Sequence, residues 1–231
     1  PDHVKNIAII GLAAGTISRQ YSEVFGEIPI TGIEIDGDII AAGRRFFGMR
    51  QPNLHVIEAD GRLALADLTE KFSVIAVDAY RLPYIPWHLT TREFFHETRS
   101  HLRDQGALAI NVGRTHTDRR LVEALSSTLL TVFPSVHVMD VPDTFNTILV
   151  ATVKPSTSEN LVDNLENLPV DAHPFLRIAL VRGVESLRPT HARGPVFTDD
   201  RAPLEKLTNS ILLRYLLEDS NAGLPDAGLN S

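Results

Sequence analysis

KNIAIIGLAAG, Lys5 to Gly15, is an apolar run that ends in a turn with glycine at both ends, Gly11 and Gly15. It reads as a buried strand entering a helix. The turn's backbone can pass close to a ligand while the helix N-terminus faces it. A tight strand-to-helix turn also wants glycine for steric reasons alone, so the neighbouring sequence has to decide. Outward from this stretch, IPITGIEID, NLHVIEAD, FSVIAVDA and GALAINVG read as four further strands, with helical patterns around residues 14–25, 37–47, 62–68 and 91–102, the last stopped by Gly106. Apolar runs alternating with helical patterns are the signature of a parallel sheet covered by helices.

The helical pattern in THTDRRLVEALSSTLLTVF spaces Leu121, Leu125, Leu129 and Val132 along one face. SVHVMDVP and TFNTILVATV follow as two alternating strands, antiparallel because so short a connection cannot cross over. From about Lys154 the texture turns polar, with helices expected at STSENLVDNLENLP, 175–187 and 203–218. The expected organisation is a ligand-binding α/β domain over residues 1–153, a helical extension over 154–218 and a disordered tail over 219–231.

Composition narrows the function. The 231 residues hold no cysteine, which removes disulfides, thiolate nucleophiles and cysteine-based zinc sites and fits a reducing, cytoplasmic compartment. A formal net charge of -7 argues against nucleic acid, since phosphate neutralisation needs clustered Lys and Arg and only pairs such as Arg44 and Arg45 or Arg119 and Arg120 occur. No run approaches the roughly 20 apolar residues that span a bilayer. The start of the chain a few residues before an apolar strand is read as a domain boundary or as a trimmed end.

Three consecutive strands end in chemistry: the glycine turn, Glu34 and Asp60. Ligands of open α/β sheets bind at these carboxyl ends. Glu34 follows the turn at the distance where an acid grips the two ribose hydroxyls of a nucleoside. Asp36 shares its strand end but reads equally as a helix cap, and Asp60 either accepts from an adenine amino group or caps the helix from Arg62. A full GxGxxG is missing, which favours an adenosyl ligand such as S-adenosylmethionine over a dinucleotide.

The fourth strand runs into DAYRLPYIPWHLTTREFF. IAIIGLAAGT, GIEIDGDII, EADGR, VIAVDAY with LTTREFF, and HLRDQGALAINV stand in the order and spacing of the spermidine/spermine synthase family, and the chain resembles that family over about residues 5–113. DAYRLPYIPWHLTTREFF and FTDDRAPLEKL are similar to a bacterial subgroup in which a soluble domain follows membrane helices. The resemblance implies a doubly wound, mostly parallel, seven-stranded sheet of the S-adenosylmethionine-dependent methyltransferase-like Rossmann class. It implies aminopropyl transfer from decarboxylated S-adenosylmethionine to an amine, with Asp78 as catalytic acid-base residue, Glu34 on the ribose and Asp60 on the adenine. An adenosyl sulfonium co-substrate, no prosthetic group, no metal, an amine acceptor and a homodimer are further expectations.

Two departures stand out. The family places an aspartate inside the glycine turn where this chain has Ala14, and a second acid three residues after the catalytic one where this chain has Arg81. Both missing acids bind amines. An arginine suits a donor that keeps its carboxylate, so a methyltransferase or aminocarboxypropyl transferase using intact S-adenosylmethionine stays open, as does a binding domain without turnover.

Tyr80, Tyr84 and Trp87 are candidates to stack on adenine or a methylene chain, or they pack a lid. His88 is a candidate base. His96 and His101 match no metal spacing and read as solvated helix residues. Thr90 or Thr91 with Glu93 reads as a helix start. Asp199 and Asp200 either supply the missing acids or form a second helix start.

Overall fold

The structure, a computed structural model, describes residues 4–80 and 84–222. Residues 81–83, Arg81 among them, and residues 223–231 lie outside the described residues. The chain alternates β1 (Ile7–Ile10), α1 (Thr16–Phe25), β2 (Ile30–Glu34), α2 (Gly37–Phe46), β3 (Leu54–Glu58), α3 (Gly61–Asp67) and β4 (Phe72–Val77). A 3₁₀ turn at Trp87–Leu89 leads to α4 (Arg92–Ser100), β5 (Leu102–Gly113), α5 (Arg120–Leu130), β6 (Ser135–Asp140) and β7 (Asn146–Thr152). The remainder is α6 (Ser158–Glu166), α7 (Pro174–Ser186), a two-residue β8 (Leu187–Arg188) and α8 (Leu204–Ala222).

The eight strands form one sheet in the order β3-β2-β1-β4-β5-β7-β6-β8. β3 through β5 are parallel, and β7, β6 and β8 run antiparallel to their neighbours. The order reverses at β1, where β2 leaves to one side and β4 to the other. Such a switch point opens a crevice at the strand carboxyl ends.

β1 is buried on both faces because helices cover both. Ile7 and Ile9 pack with Leu12, Ile30, Ile40 and Met49 in the smaller core, and Ala8 and Ile10 face the larger one. The larger core also takes Phe197, Leu204 and Ile211 from the C-terminal extension.

Four expectations need correction. The sheet has eight strands, not seven: Leu187 and Arg188 pair with Met139 and Val138 on the otherwise open edge of β6, a run too short to carry a sequence pattern. β5 begins at Leu102, before Gly106, because Leu102 pairs with Phe72 and the Phe72 amide donates to the His101 carbonyl (2.7 Å). His101 is half-buried, not solvated, and its ring spans the Glu97 carbonyl (2.9 Å) and the Leu68 carbonyl (3.0 Å). At the C-terminus α8 continues to Ala222, past the boundary expected at residue 218.

One guanidinium gathers several of the contacts that fasten the extension. Arg62, at the start of α3, donates to both carboxylate oxygens of Glu97 (2.8 and 2.6 Å), to both of Asp199 (2.9 Å each) and to the His88 carbonyl (3.2 Å). Asp199 also accepts from Thr91 Oγ1 (2.6 Å) and its amide donates to Glu93. It is thus committed to structure in a turn closed by Thr198 and Arg201, and the helix beyond begins at Leu204.

The Arg62 guanidinium holds the Asp199 carboxyl below the usual carboxylate range. A depressed folded pKa means the stabilisation is complete above the unfolded value of about 3.9 and is lost as pH falls through the folded value. The melting-temperature gap between wild type and Asp199→Asn should therefore hold steady from about pH 7 to 5 and close below about pH 4. A gap that instead widens in acid would contradict the assignment.

Candidate active site

The carboxyl ends of β1 to β5 surround a cleft of about 750 Å³. Gly11, Glu34, Asp60, Asp78 and Tyr80 all line it, with Ala13, Asp36, His88, Asn111 and Asn146. Five of the residues expected from the sequence therefore meet in one place. Ala13, not Ala14, is the turn residue that faces the cleft. Gly15 lies beneath the turn, where a Cβ would meet Met49 Sδ at 2.7 Å. Trp87 is exposed at the rim of the 3₁₀ turn, and Tyr84 donates from its hydroxyl to Asn209 Oδ1 (2.5 Å) of α8. Neither lines this cleft.

Glu34 has a structural task that the sequence did not suggest. Its carboxylate is buried and accepts the Ala13 amide on Oε2 (2.8 Å) and the Ile35 and Asp36 amides on Oε1 (3.0 and 3.2 Å). These bonds hold Ala13 in a left-handed conformation, φ 48°, which costs an L-residue roughly 1–2 kcal/mol. A carboxylate has about four acceptor sites, so Glu34 keeps capacity toward the cleft.

Asp36 and Asp60 are both helix caps. Asp36 Oδ1 accepts the Asp38 and Ile39 amides, and Asp60 Oδ1 accepts those of Arg62 and Leu63. The cap leaves Asp60 Oδ2 for His88 Nε2 at 2.9 Å. Burial works against ionisation of Asp60, but the Leu63 amide and His88 outweigh it and the carboxyl lies below its usual range. Capping and facing the cleft are compatible here because the two oxygens divide the work.

Asp78, half-buried after β4, accepts from Asn111 Nδ2 (2.9 Å). Asn111 Oδ1 is buried and has no hydrogen-bond partner among the described residues. The Tyr80 hydroxyl donates to the Asn111 carbonyl (3.0 Å), and burial, then the negative Asp78, push its phenol well above the ordinary value. Asn111 escaped the sequence reading, although a lone amide at the end of an apolar strand is a visible signal. The His88–Asp60 pair joins residues 28 apart in the chain and had no such signal. Among the described residues no group of three His, Asp or Glu is placed to hold a metal ion.

A model of the spermine/spermidine synthase domain matches residues 2–164. The chain belongs to the spermine/spermidine synthase family. It is 34% identical over 161 residues to a protein of Bifidobacterium longum named a probable polyamine aminopropyl transferase, covering 68% of this chain and 36% of that protein. To a polyamine aminopropyltransferase of Vibrio vulnificus it is 32% identical over 142 residues, covering 60% of this chain and 46% of that protein. The chain thus spans between about a third and a half of these relatives' length.

The family fold also appears in solved structures. A probable spermidine synthase from Corynebacterium glutamicum superposes with a TM-score of 0.64 at 22% identity over 86% of this chain and 75% of that one. A spermidine synthase in complex with the transition-state analogue AdoDATO gives 0.64 at 18% over 79% and 66%. Human methyltransferase-like protein 13 in complex with SAH gives 0.61 at 21% over 80% and 84%. The fold is the Rossmann-like one that spermidine synthases and methyltransferases share.

The site depends on close packing of the turn against β4. At Gly11, φ 87°, a Cβ would stand 2.5 Å from the Asp78 carbonyl oxygen, whereas at Gly26, φ 74°, it would meet nothing within 4 Å. Gly11→Ala should cost about 2–5 kcal/mol, strain plus overlap. Gly26→Ala should cost only about 1–2 kcal/mol, the strain alone. Equal losses in urea denaturation would show that the turn does not press on Asp78.

Proposed function

We propose that the chain transfers an aminopropyl group from decarboxylated S-adenosylmethionine to a primary amine. The observation that carries this reading is the Asp78 carboxylate facing the same cleft as Glu34 and Asp60, in a chain whose family match spans residues 2–164. Curated relatives named polyamine aminopropyltransferases support it. The expected cytoplasmic location remains part of the proposal and draws on the absence of cysteine.

In this reading the adenosyl moiety lies across the ends of β1 to β3. Glu34 accepts from a ribose hydroxyl while keeping its backbone bonds, and Asp60 accepts from the adenine amino group. The sulfonium carbon chain then points toward β4.

An alkylammonium has a pKa near 10.4, so freeing its lone pair at neutral pH costs about 4–5 kcal/mol. Asp78 binds the ammonium and takes one proton. The neutral nitrogen attacks the carbon next to the sulfonium, a C–N bond forms, the C–S bond breaks, and its electron pair stays on sulfur as a neutral thioether. The product nitrogen carries the positive charge, and Asp78 returns its proton to solvent. The amide of Asn111 fixes which carboxylate oxygen remains free, and positioning supplies much of the remaining acceleration.

Asp78→Asn keeps shape and loses charge. Its transfer rate should fall about 10²–10⁴-fold, with melting temperature and methylthioadenosine affinity near wild type. Full activity in this variant would remove Asp78 from the chemistry. Absence of thioether release from wild type with every amine offered would remove the transfer itself.

A further inference from the structure

We infer that the acceptor side of the cleft takes a primary amine with an apolar tail in preference to a diamine, an inference that rests on the transfer reading above for the position of the reacting nitrogen. A second cavity of about 360 Å³ adjoins the first, and Tyr80 and Asn146 line both. A chain whose nitrogen meets Asp78 would pass Tyr80 directly into it. Its outer wall is one side of α8, with Thr208, Ile211, Leu212 and Tyr215, and its inner wall includes Leu121 and Phe145. α8 lies wholly beyond residue 164, where the family match ends.

The lining chemistry decides the ligand class. Among the described residues no carboxylate lines this cavity, and its one charged group is Arg114. That guanidinium is held in place by Thr147 Oγ1 (3.1 Å) and Asp140 Oδ1 (3.3 Å). Asp140 is in turn shared with Arg119 and Arg188, so it has no spare charge for a ligand. A second ammonium here would lose water, meet a like charge and find no counter-ion, which is strongly unfavourable in a confined site.

A hydrocarbon tail meets the opposite conditions. Phe145 and Tyr215 stand edge to face, with ring centroids 5.5 Å apart, and present apolar surface beside Leu121 and Ile211.

The test is calorimetry on the protein saturated with methylthioadenosine, which needs no turnover. Hexylamine and 1,5-diaminopentane have the same length and differ in a terminal methyl against an ammonium. Hexylamine should bind at least ten-fold more tightly, and affinity should rise up to about four-fold per methylene from butylamine to hexylamine. Leu212→Glu, at a half-exposed position, should reverse the preference, while Leu212→Gln should leave the diamine weak. A diamine that binds as well as hexylamine, no gain along the series, or no binding of either amine would overturn the inference. Thioether release is measured separately: amine binding in the expected order without any release would end the transfer reading and leave the apolar subsite standing.

Discussion

A nearly buried carboxylate must be satisfied where it stands, and Glu34 is satisfied by the backbone of the turn that defines the site. Three amides, those of Ala13, Ile35 and Asp36, converge on it. Hydrogen bonds to a charged acceptor are worth about 1.5–3 kcal/mol each, enough to hold Ala13 in a left-handed conformation. With the turn fixed, Gly11 lies against the Asp78 carbonyl, and the Asp78 amide donates to the Ile10 carbonyl (2.9 Å). The position of Asp78 is therefore set by the end of β2, two strands away in the sheet.

The C-terminal extension is part of this arrangement. The Phe197 amide donates to Thr128 Oγ1 (2.9 Å), its carbonyl accepts the Arg92 amide (2.9 Å), and its ring is fully buried in the sheet's larger core. At Gly194 a Cβ would stand 2.4 Å from the Ala124 amide nitrogen, so the segment lies hard against α5. Arg62 draws Asp199 to the same region. These contacts lead the chain into α8 at Leu204 and set its face beside Tyr80.

Much of the frame was legible. β1 to β4 announced themselves as short apolar runs bounded by helical patterns, and the acids at their ends sit where a ligand of this fold would meet them. The Asp36 cap was legible because its acceptor lies two residues from its donor. Long-range pairing was not: nothing in the sequence near His88 names Asp60, and nothing near Asp78 names Asn111. α8 hid its function differently. Leu207, Ile211, Leu212, Leu213, Leu216 and Leu217 surround much of the helix, so the apolar pattern selects no face, and only packing shows that Ile211 and Leu212 line a cavity while the more exposed Leu213 and Leu216 do not. Glu34 was half legible, its place at the cleft readable from strand position and its hold on the turn visible only in three dimensions.

In the proposed function one carboxylate both holds the turn and receives the nucleoside. A crystal structure with methylthioadenosine bound tests it most directly. The expected structure has a ribose hydroxyl within about 2.5–3.0 Å of a Glu34 carboxylate oxygen, the Ala13 amide bond still in place, and the sulfur facing Asp78. A nucleoside bound away from the ends of β1 to β4, or a Glu34 that releases Ala13 to reach it, would show that Glu34 does not serve both.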